Sequence, residues 1–382
     1  MRVAHKTRAW AAVVTIAVTL GTVGCGEEEP AGSGSGGGGG EAGIDVAGAQ
    51  AFVDEHSAAP EGLGLTAPLS EKPPTGKYLI TLETPQPVSE QKNDAIAEAA
   101  ELLGWKYERI QMGTDAEAAP NAFAAALERN PDIIHYSGTP AAAVQQQLEA
   151  AEAQGVVAIS DSNTDEVQPP LISTSLDSTQ QVEAWGEMSA ATVVATSGEP
   201  TSVALVTIDA YPSLVAYSDK FVETMDKFCS ACEVEVVNQQ ISDLGKTTPG
   251  SVVSAVQRNP DIGWVIFSFG DLALGVPAAL RAAGLQEQVK VGGETPSETN
   301  LEALRSGDEA FWTAFPTSVL GWRVVDMAAR HFVGDDLTPA NEALLPTQIL
   351  TPDNIDDALF EEGIYVGVED YQSEFKKLWL IE

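Results

Sequence analysis

The sequence predicts an α/β fold built as two similar lobes, each a doubly wound parallel sheet with helices on both faces. Three observations predict it. From residue 77 onward short apolar runs alternate with amphipathic stretches of about 10–15 residues, the pattern of parallel strands joined by crossover helices. The runs are nearly continuous in apolar residues, as in Trp264-Val265-Ile266-Phe267, which fits strands buried on both faces. One connector also occurs twice, Ala126-Leu127-Glu128-Arg129-Asn130-Pro131-Asp132-Ile133 and Ala255-Val256-Gln257-Arg258-Asn259-Pro260-Asp261-Ile262. In both copies Asn-Pro stops a helix, because the residue before proline is pushed out of the α region, and aspartate turns the chain into a strand. The repeat at equivalent points of two βα runs argues for two lobes of one architecture.

The elements follow in order. Residues 78–82 read as a strand and 90–103 as a helix closed by Gly104; 133–136 as a strand and 141–153 as a helix closed by Gly155; 156–159 as a strand. The pattern then restarts. Helices are expected at 186–197, 214–228, 251–258 and 272–283, the last before Gly284, and strands at 203–208, 234–237, 264–269 and 289–292.

The N-terminus has a different character. Arg2, Lys6 and Arg8 precede a largely apolar run from Ala9 to Leu20, far short of the ~20 residues that span a bilayer. It ends in Gly21-Thr22-Val23-Gly24-Cys25. This resembles a lipoprotein signal: residues 1–24 are removed and Cys25 becomes the acylated first residue, on the outer face of the cytoplasmic membrane. Residues 25–75 are read as that cysteine and a tether rich in Gly, Glu and Pro, with five consecutive glycines at 36–40. Within it, 44–75 admits a second reading, an arm packed on the domain.

Charge and cysteines narrow the function classes. A formal net charge of −36 repels phosphate backbones, so nucleic-acid binding is excluded. Cys229 and Cys232 stand as C-x-x-C with no second cysteine pair, and the four histidines are scattered, so no metal site is expected. In an exported chain the pair reads as a small local disulfide pinning the end of a helix to the next strand.

The best-matched pieces of a larger pattern lie in the second half. They are Ile262-Gly263-Trp264-Val265-Ile266-Phe267, Gly270-Asp271-Leu272-Ala273-Leu274-Gly275, Val289-Lys290-Val291-Gly292-Gly293-Glu294, Leu301-Glu302-Ala303-Leu304-Arg305-Ser306-Gly307 and Gly321-Trp322-Arg323. In this order and spacing the chain, over roughly residues 76–352, resembles the type I periplasmic solute-binding family, in its ribose- and xylose-binding branch. The resemblance implies lobes joined by a three-strand hinge with crossings near Thr174, Phe315 and Thr347. Lobe 1 would be 76–173 with 316–346, and lobe 2 would be 174–315 with 347–382. The tail beyond Thr351 is expected on lobe 2.

Ligand chemistry belongs at the carboxyl ends of the strands. There the candidate binding residues are Gln86, Glu90, Ser137, Thr139, Asp161, Ser162, Tyr211, Tyr217, Phe269, Asp271, Glu294 and Phe315. Set against the sugar-binding members, the stacking aromatics fall at Val88 and Ser89, the arginine at Tyr217, and the crossover glutamine at Phe315. Two acids survive in kind: Asp161 (or Ser162 one position on) and Glu294. The expected ligand is therefore a small molecule, sugar-like by family, with more aromatic or apolar surface. The resemblance implies a non-catalytic monomer without cofactor, a permease of an ABC importer as partner, and membrane contact only through the lipid. The alternatives are a receptor presenting bound ligand to a membrane kinase and, further off, a glycoside-type enzyme, although no catalytic motif is present.

Overall fold

A computed structural model of the chain describes residues 43–173 and 179–381. The expected leader, Cys25, the glycine-rich part of the expected tether and the expected crossing near Thr174 lie outside these residues.

The described chain opens with α1 (Val46–His56). The first lobe follows as β1 (Tyr78–Glu83), α2 (Pro87–Leu102), β2 (Lys106–Gln111), α3 (Ala118–Leu127), β3 (Ile133–Ser137), α4 (Gln145–Gln154), β4 (Val157–Asp161) and β5 (Leu171–Ser173). The second lobe runs through α5 (Thr179–Ser197), β6 (Ser202–Thr207), α6 (Pro212–Phe228), β7 (Glu233–Asn238), α7 (Thr248–Arg258), β8 (Ile262–Phe267), α8 (Val276–Ala282), β9 (Lys290–Glu294), α9 (Glu298–Ser306) and β10 (Phe311–Ala314). Then come α10 (Thr317–Val333), α11 (Thr338–Glu342), β11 (Gln348–Leu350), a hairpin of β12 (Phe360–Glu361) and β13 (Ile364–Tyr365), and α12 (Tyr371–Leu378).

The first sheet has strand order β2-β1-β3-β4-β5, parallel throughout. The second has order β11-β10-β9-β8-β6-β7, and only β11 runs antiparallel. Leaving out β11, the two orders are the same, so the α/β doubly wound prediction holds. The repeated Asn-Pro-Asp connectors lead into β3 and β8, which occupy the same place in the two sheets.

Each sheet buries one face under its own helices, around Phe123 and Tyr136 in the first lobe and Phe267 and Trp312 in the second. The other faces contribute to one cluster that runs through the hinge from Ile96 to Phe221. Two glycines set this inner packing. A Cβ on Gly321 of α10 would lie 2.5 Å from the Lys92 carbonyl oxygen of α2, and one on Gly186 of α5 would lie 2.5 Å from that of Tyr217 on α6. The helices that follow the first strands β1 and β6, α2 and α6, are thus met at close range by α10 and α5.

Of the two readings of residues 44–75, tether or packed arm, the described residues adopt the packed one. Helix α1 packs against α5, with Ala49 and Val53 buried, and the strand of chain after it runs over α10. There the Leu63 carbonyl accepts from Arg323 Nη2 and the Ala67 carbonyl from Arg330 Nη2 at 2.9 Å. The tail does not stay on lobe 2. Ile355 and Tyr365 join the second-lobe core, but α12 returns to α10, where Trp379 stacks on Trp322 at 5.2 Å and donates to Asp326 at 2.8 Å. The physical reason is α10 itself, buried on every side from Thr317 to Arg330, which needs cover on the face away from α2.

The two cysteines form the Cys229–Cys232 disulfide at the end of α6. Its loop meets the start of the arm: Ala231 N–H donates to the Gly43 carbonyl, and Asp45 N–H to that of Phe228 at 2.6 Å.

Candidate ligand-binding site

Between the lobes lies a cavity of about 130 Å³, walled by the loops at the carboxyl ends of β1, β3, β4, β6, β8, β9 and β10. In a sheet of order 2-1-3-4-5 the chain departs in opposite directions after the first and third strands and leaves a crevice there. Thr84 and Gln86 after β1 face Ser137 and Gly138 at β3 across that crevice. The second lobe supplies Tyr211 and Ser213 after β6, Phe269 after β8, and Glu294 and Thr295 at β9.

Of the twelve candidates, Gln86, Ser137, Ser162, Tyr211, Tyr217, Phe269, Glu294 and Phe315 line the cavity. Four do not. Glu90 points to solvent, because the inward stripe of α2 is Ser89, Lys92, Asn93 and Ile96. Thr139 turns its carbonyl to Asn163 Nδ2 at 2.6 Å and takes no place in the wall. Asp161 is fully buried behind the wall, and Asp271 sits at the mouth of the cleft.

The reason for the position of Asp161 is a lysine that sequence reasoning missed. Lys92 Nζ lies 2.8 Å from Asp161 Oδ1 and 3.1 Å from Ser137 Oγ, and Ser137 in turn donates to Asp161. His135 completes the cluster, with Nε2 2.9 Å from Asp161 Oδ2 and Nδ1 3.2 Å from Thr81 Oγ1. Burial pushes the His135 imidazole below its usual range and keeps it neutral. Nε2 therefore carries the proton given to the carboxylate, and Nδ1 accepts from Thr81. Burial alone would raise the Asp161 carboxyl, but Lys92 and His135 win and hold it well below the usual carboxylate range. Lys92 and Ser137 line the cavity, while Asp161 and His135 fix their orientation from behind. A lysine on the apolar stripe of a helix, one turn after Ser89 and one before Ile96, was the available signal.

The floor is aromatic. Trp185 of α5 stacks on Phe315 with ring centroids 4.5 Å apart and planes at 8°, and its Nε1 donates to Thr347 Oγ1 at 3.0 Å. Phe315 follows β10 and Thr347 precedes β11, so one indole of α5 touches the chain on both sides of α10. Thr317 at the start of α10 lines the cavity, with its Oγ1 buried and without a hydrogen-bond partner among the described residues. Trp185, Val182, Thr317 and Leu320 were missed because they sit on hinge helices and not at strand ends. Burial pushes the Tyr217 phenol above its usual range, and Tyr211 likewise, so both remain neutral donors. Glu294 is buried and accepts from Thr295 Oγ1.

The wall thus offers an ammonium and a hydroxyl from lobe 1, a carboxylate from lobe 2 and an aromatic platform from the hinge. Ser137 is held between an ammonium, which donates to it, and a carboxylate, to which it donates, so the cluster fixes the orientation of the polar groups at this wall.

Comparison with known proteins agrees with this architecture. The family model described as "Periplasmic binding protein domain" matches residues 80–336. No curated protein sequence matches the chain. Among solved structures, an ABC sugar transporter subunit from Rhodobacter sphaeroides 2.4.1 is 17% identical with a TM-score of 0.63, covering 73% of this chain and 99% of that one. A 5-methylthioribose transporter solute-binding protein from Thermotoga lettingae TMO, in complex with 5-methylthioribose, is 13% identical with a TM-score of 0.60, covering 82% and 95%. The fructose-binding periplasmic domain of a hybrid two-component system is 14% identical with a TM-score of 0.63, covering 74% and 92%. These identities carry the fold alone. The family match runs from β1 through α10, and with two equivalent doubly wound lobes around one cavity the chain belongs to the periplasmic binding proteins, in their type I form.

Proposed function

We propose that this chain is the lipid-anchored solute-binding component of an ABC importer, and that it captures a small ring-bearing molecule with one apolar face. The observation that carries the reading is the cavity between the lobes. Its stacked Trp185–Phe315 floor offers a flat apolar surface, and its polar groups stand around that floor, with Lys92 and Ser137 on one side and Glu294 on the other.

A cavity of about 150 Å³ admits benzene, so about 130 Å³ suits a single small ring. A buried ligand hydroxyl left without a partner costs about 1–3 kcal/mol. The apolar lining, with Val88, Val182, Leu214, Phe269 and Leu320, therefore disfavours a bare polyol. A ring carrying an apolar substituent, with an acceptor for Lys92 and a donor for Glu294, satisfies both ends. Ligand contact with both lobes stabilises their closed arrangement, which a membrane permease would recognise.

The test is thermal unfolding of the mature chain with Cys25→Ser against pentoses, myo-inositol, 5-methylthioribose, nucleosides and aromatic acids. Saturation at ~1,000 times Kd adds about 4 kcal/mol and raises the midpoint by several degrees. A shift with substituted or aromatic rings and none with bare pentoses supports the reading. A flat panel removes it.

A further inference from the structure

Beyond the ligand cavity the cleft continues into a groove of about 690 Å³. Gln86 and Ile241 line both spaces, so the two adjoin there. Pro87 and Gln91 of α2 wall the groove on the first lobe. The 3₁₀ turn Gly270–Ala273 and the start of α9 wall it on the second. The chain at this turn divides its side chains between the two spaces. Phe269, just ahead of it, lines the cavity, and Asp271 lines the groove.

Two buried carboxyl groups line the groove, Glu309 at 3% exposure and Asp271 at 6%. Their oxygens are satisfied differently. Glu309 accepts from Asn300 Nδ2 at 3.2 Å on each oxygen, and from Trp312 Nε1 at 2.6 Å on Oε2. Asp271 Oδ2 is buried without a hydrogen-bond partner among the described residues. Buried polar groups of folded proteins are paired with few exceptions, because an unmet one forfeits its hydration. The backbone holds Asp271 in place. A Cβ on Gly270 would lie 2.5 Å from Asn300 Oδ1 and 2.7 Å from the Ser297 nitrogen, so the turn is pressed onto the chain after β9. The Gly270 N–H donates to the Thr295 carbonyl at 3.0 Å. The cations of the groove are engaged elsewhere. Arg281 lies 3.7 Å from Asp308, and Lys246 Nζ donates to the Ser242 carbonyl at 3.2 Å.

We propose that the groove is a second subsite of the cleft, which takes a protonated amine on a flexible arm of the ligand, with Asp271 as its acceptor. The inference rests on the cavity reading above and names the rest of the molecule: the ring fills the cavity, and the arm passes Gln86 and Ile241 to reach Asp271. An ammonium suits this acceptor because it carries donors alone. Its hydrogen bond to a carboxylate is about twice as strong as a neutral one. A neutral arm leaves the buried charge uncompensated.

The experiment is isothermal titration of the mature chain with Cys25→Ser at neutral pH. The probes are two matched series, the phenylalkylamines from phenethylamine to phenylhexylamine and the phenylalkanols of the same lengths. In the parent chain the amine exceeds its alcohol by at least about tenfold at the arm length that spans the two spaces. Asp271→Ala and Asp271→Asn both remove that excess, and both leave the affinity for phenylethanol unchanged, which shows that the variants fold and keep the cavity. Alcohols that bind with no amine excess at any length, or an excess that survives both variants, overturn the subsite and leave the cavity reading standing. Binding of neither series also overturns it, and the cavity reading then stands or falls on the thermal panel.

Discussion

Lys92 shows how a cavity wall can carry a charge inside a core. Only about 6% of its side chain is exposed, and that of Asp161 is not exposed at all. Such a pair is costly to desolvate, and breaking it by removing one partner costs about 3–5 kcal/mol, because the other charge stays buried. Lys92→Met should therefore lower unfolding free energy in urea by about that much, while Lys92→Met with Asp161→Asn should recover a good part of it. A variant pair with equal losses would mean the cluster is not coupled. The pH dependence has a definite sign. The folded Asp161 carboxyl lies below its unfolded value near 3.9. Its contribution is therefore present above that value and is lost as the pH falls toward the folded one. An urea midpoint that falls less with acid in the double variant, between about pH 5 and pH 2, would report this term. On the ligand side, Glu294→Gln and Phe269→Ala should each weaken the best compound of the panel by at least about tenfold, from one lost charged hydrogen bond and one lost apolar wall. Unchanged affinity in both would place the ligand elsewhere.

At the scale of elements the same two-glycine device recurs in both lobes. Gly186→Ala and Gly321→Ala put a methyl group within 2.5 Å of a backbone oxygen on the neighbouring helix. Neither neighbour can give way as a flexible side chain would, so each should cost about 1–3 kcal/mol by thermal unfolding. Gly284→Ala, where nothing lies within 4 Å, carries only the strain of its φ of +72° and should cost less. The crossings made these glycines hard to read from the sequence, since their partners lie far away along the chain. What was legible were the central strands β1, β3, β6 and β8, whose apolar runs are long and buried on both faces. Strand β2 was not. It is the edge of its sheet, and Lys106, Glu108 and Arg109 make Lys106–Gln111 read as polar surface. The helix expected over 272–283 is broken by Gly275 at a φ of +79°, which separates a 3₁₀ turn from α8. At the site, strand ends were readable because the α/β topology puts ligands there. Lys92, Trp185 and Thr317 were not, because helices bring them in and their role depends on packing between lobes.

For the whole molecule the unexpected feature is how many segments α10 holds together. It lies against α2 of the first lobe, receives the arm after α1 and carries the terminal helix α12. The arm's contribution is electrostatic as well as apolar. The Arg323 guanidinium is buried, and besides Leu63 it donates to the carbonyls of Ala343 at 2.5 Å and Leu344 at 2.7 Å. Arg330 is paired with Asp326 at 2.6 Å and donates from Nη2 to the Ala67 carbonyl. A chain beginning at residue 76 would strip one carbonyl from each guanidinium and remove Leu63 and Leu69, both buried in the present fold. Hydrogen bonds to charged groups are worth about 1.5–3 kcal/mol each, and burying a leucine about 1.5–3 kcal/mol. The loss should therefore exceed about 5 kcal/mol, a large share of the stability of an ordinary domain. A chain beginning at residue 43 keeps every one of these contacts and should unfold at the same midpoint as the mature chain. Thermal unfolding of the two truncations separates the alternatives cleanly. Equal stability would mean that the arm is a passive continuation of the tether. A large loss confined to the shorter chain would show that residues 43–75 are part of the fold.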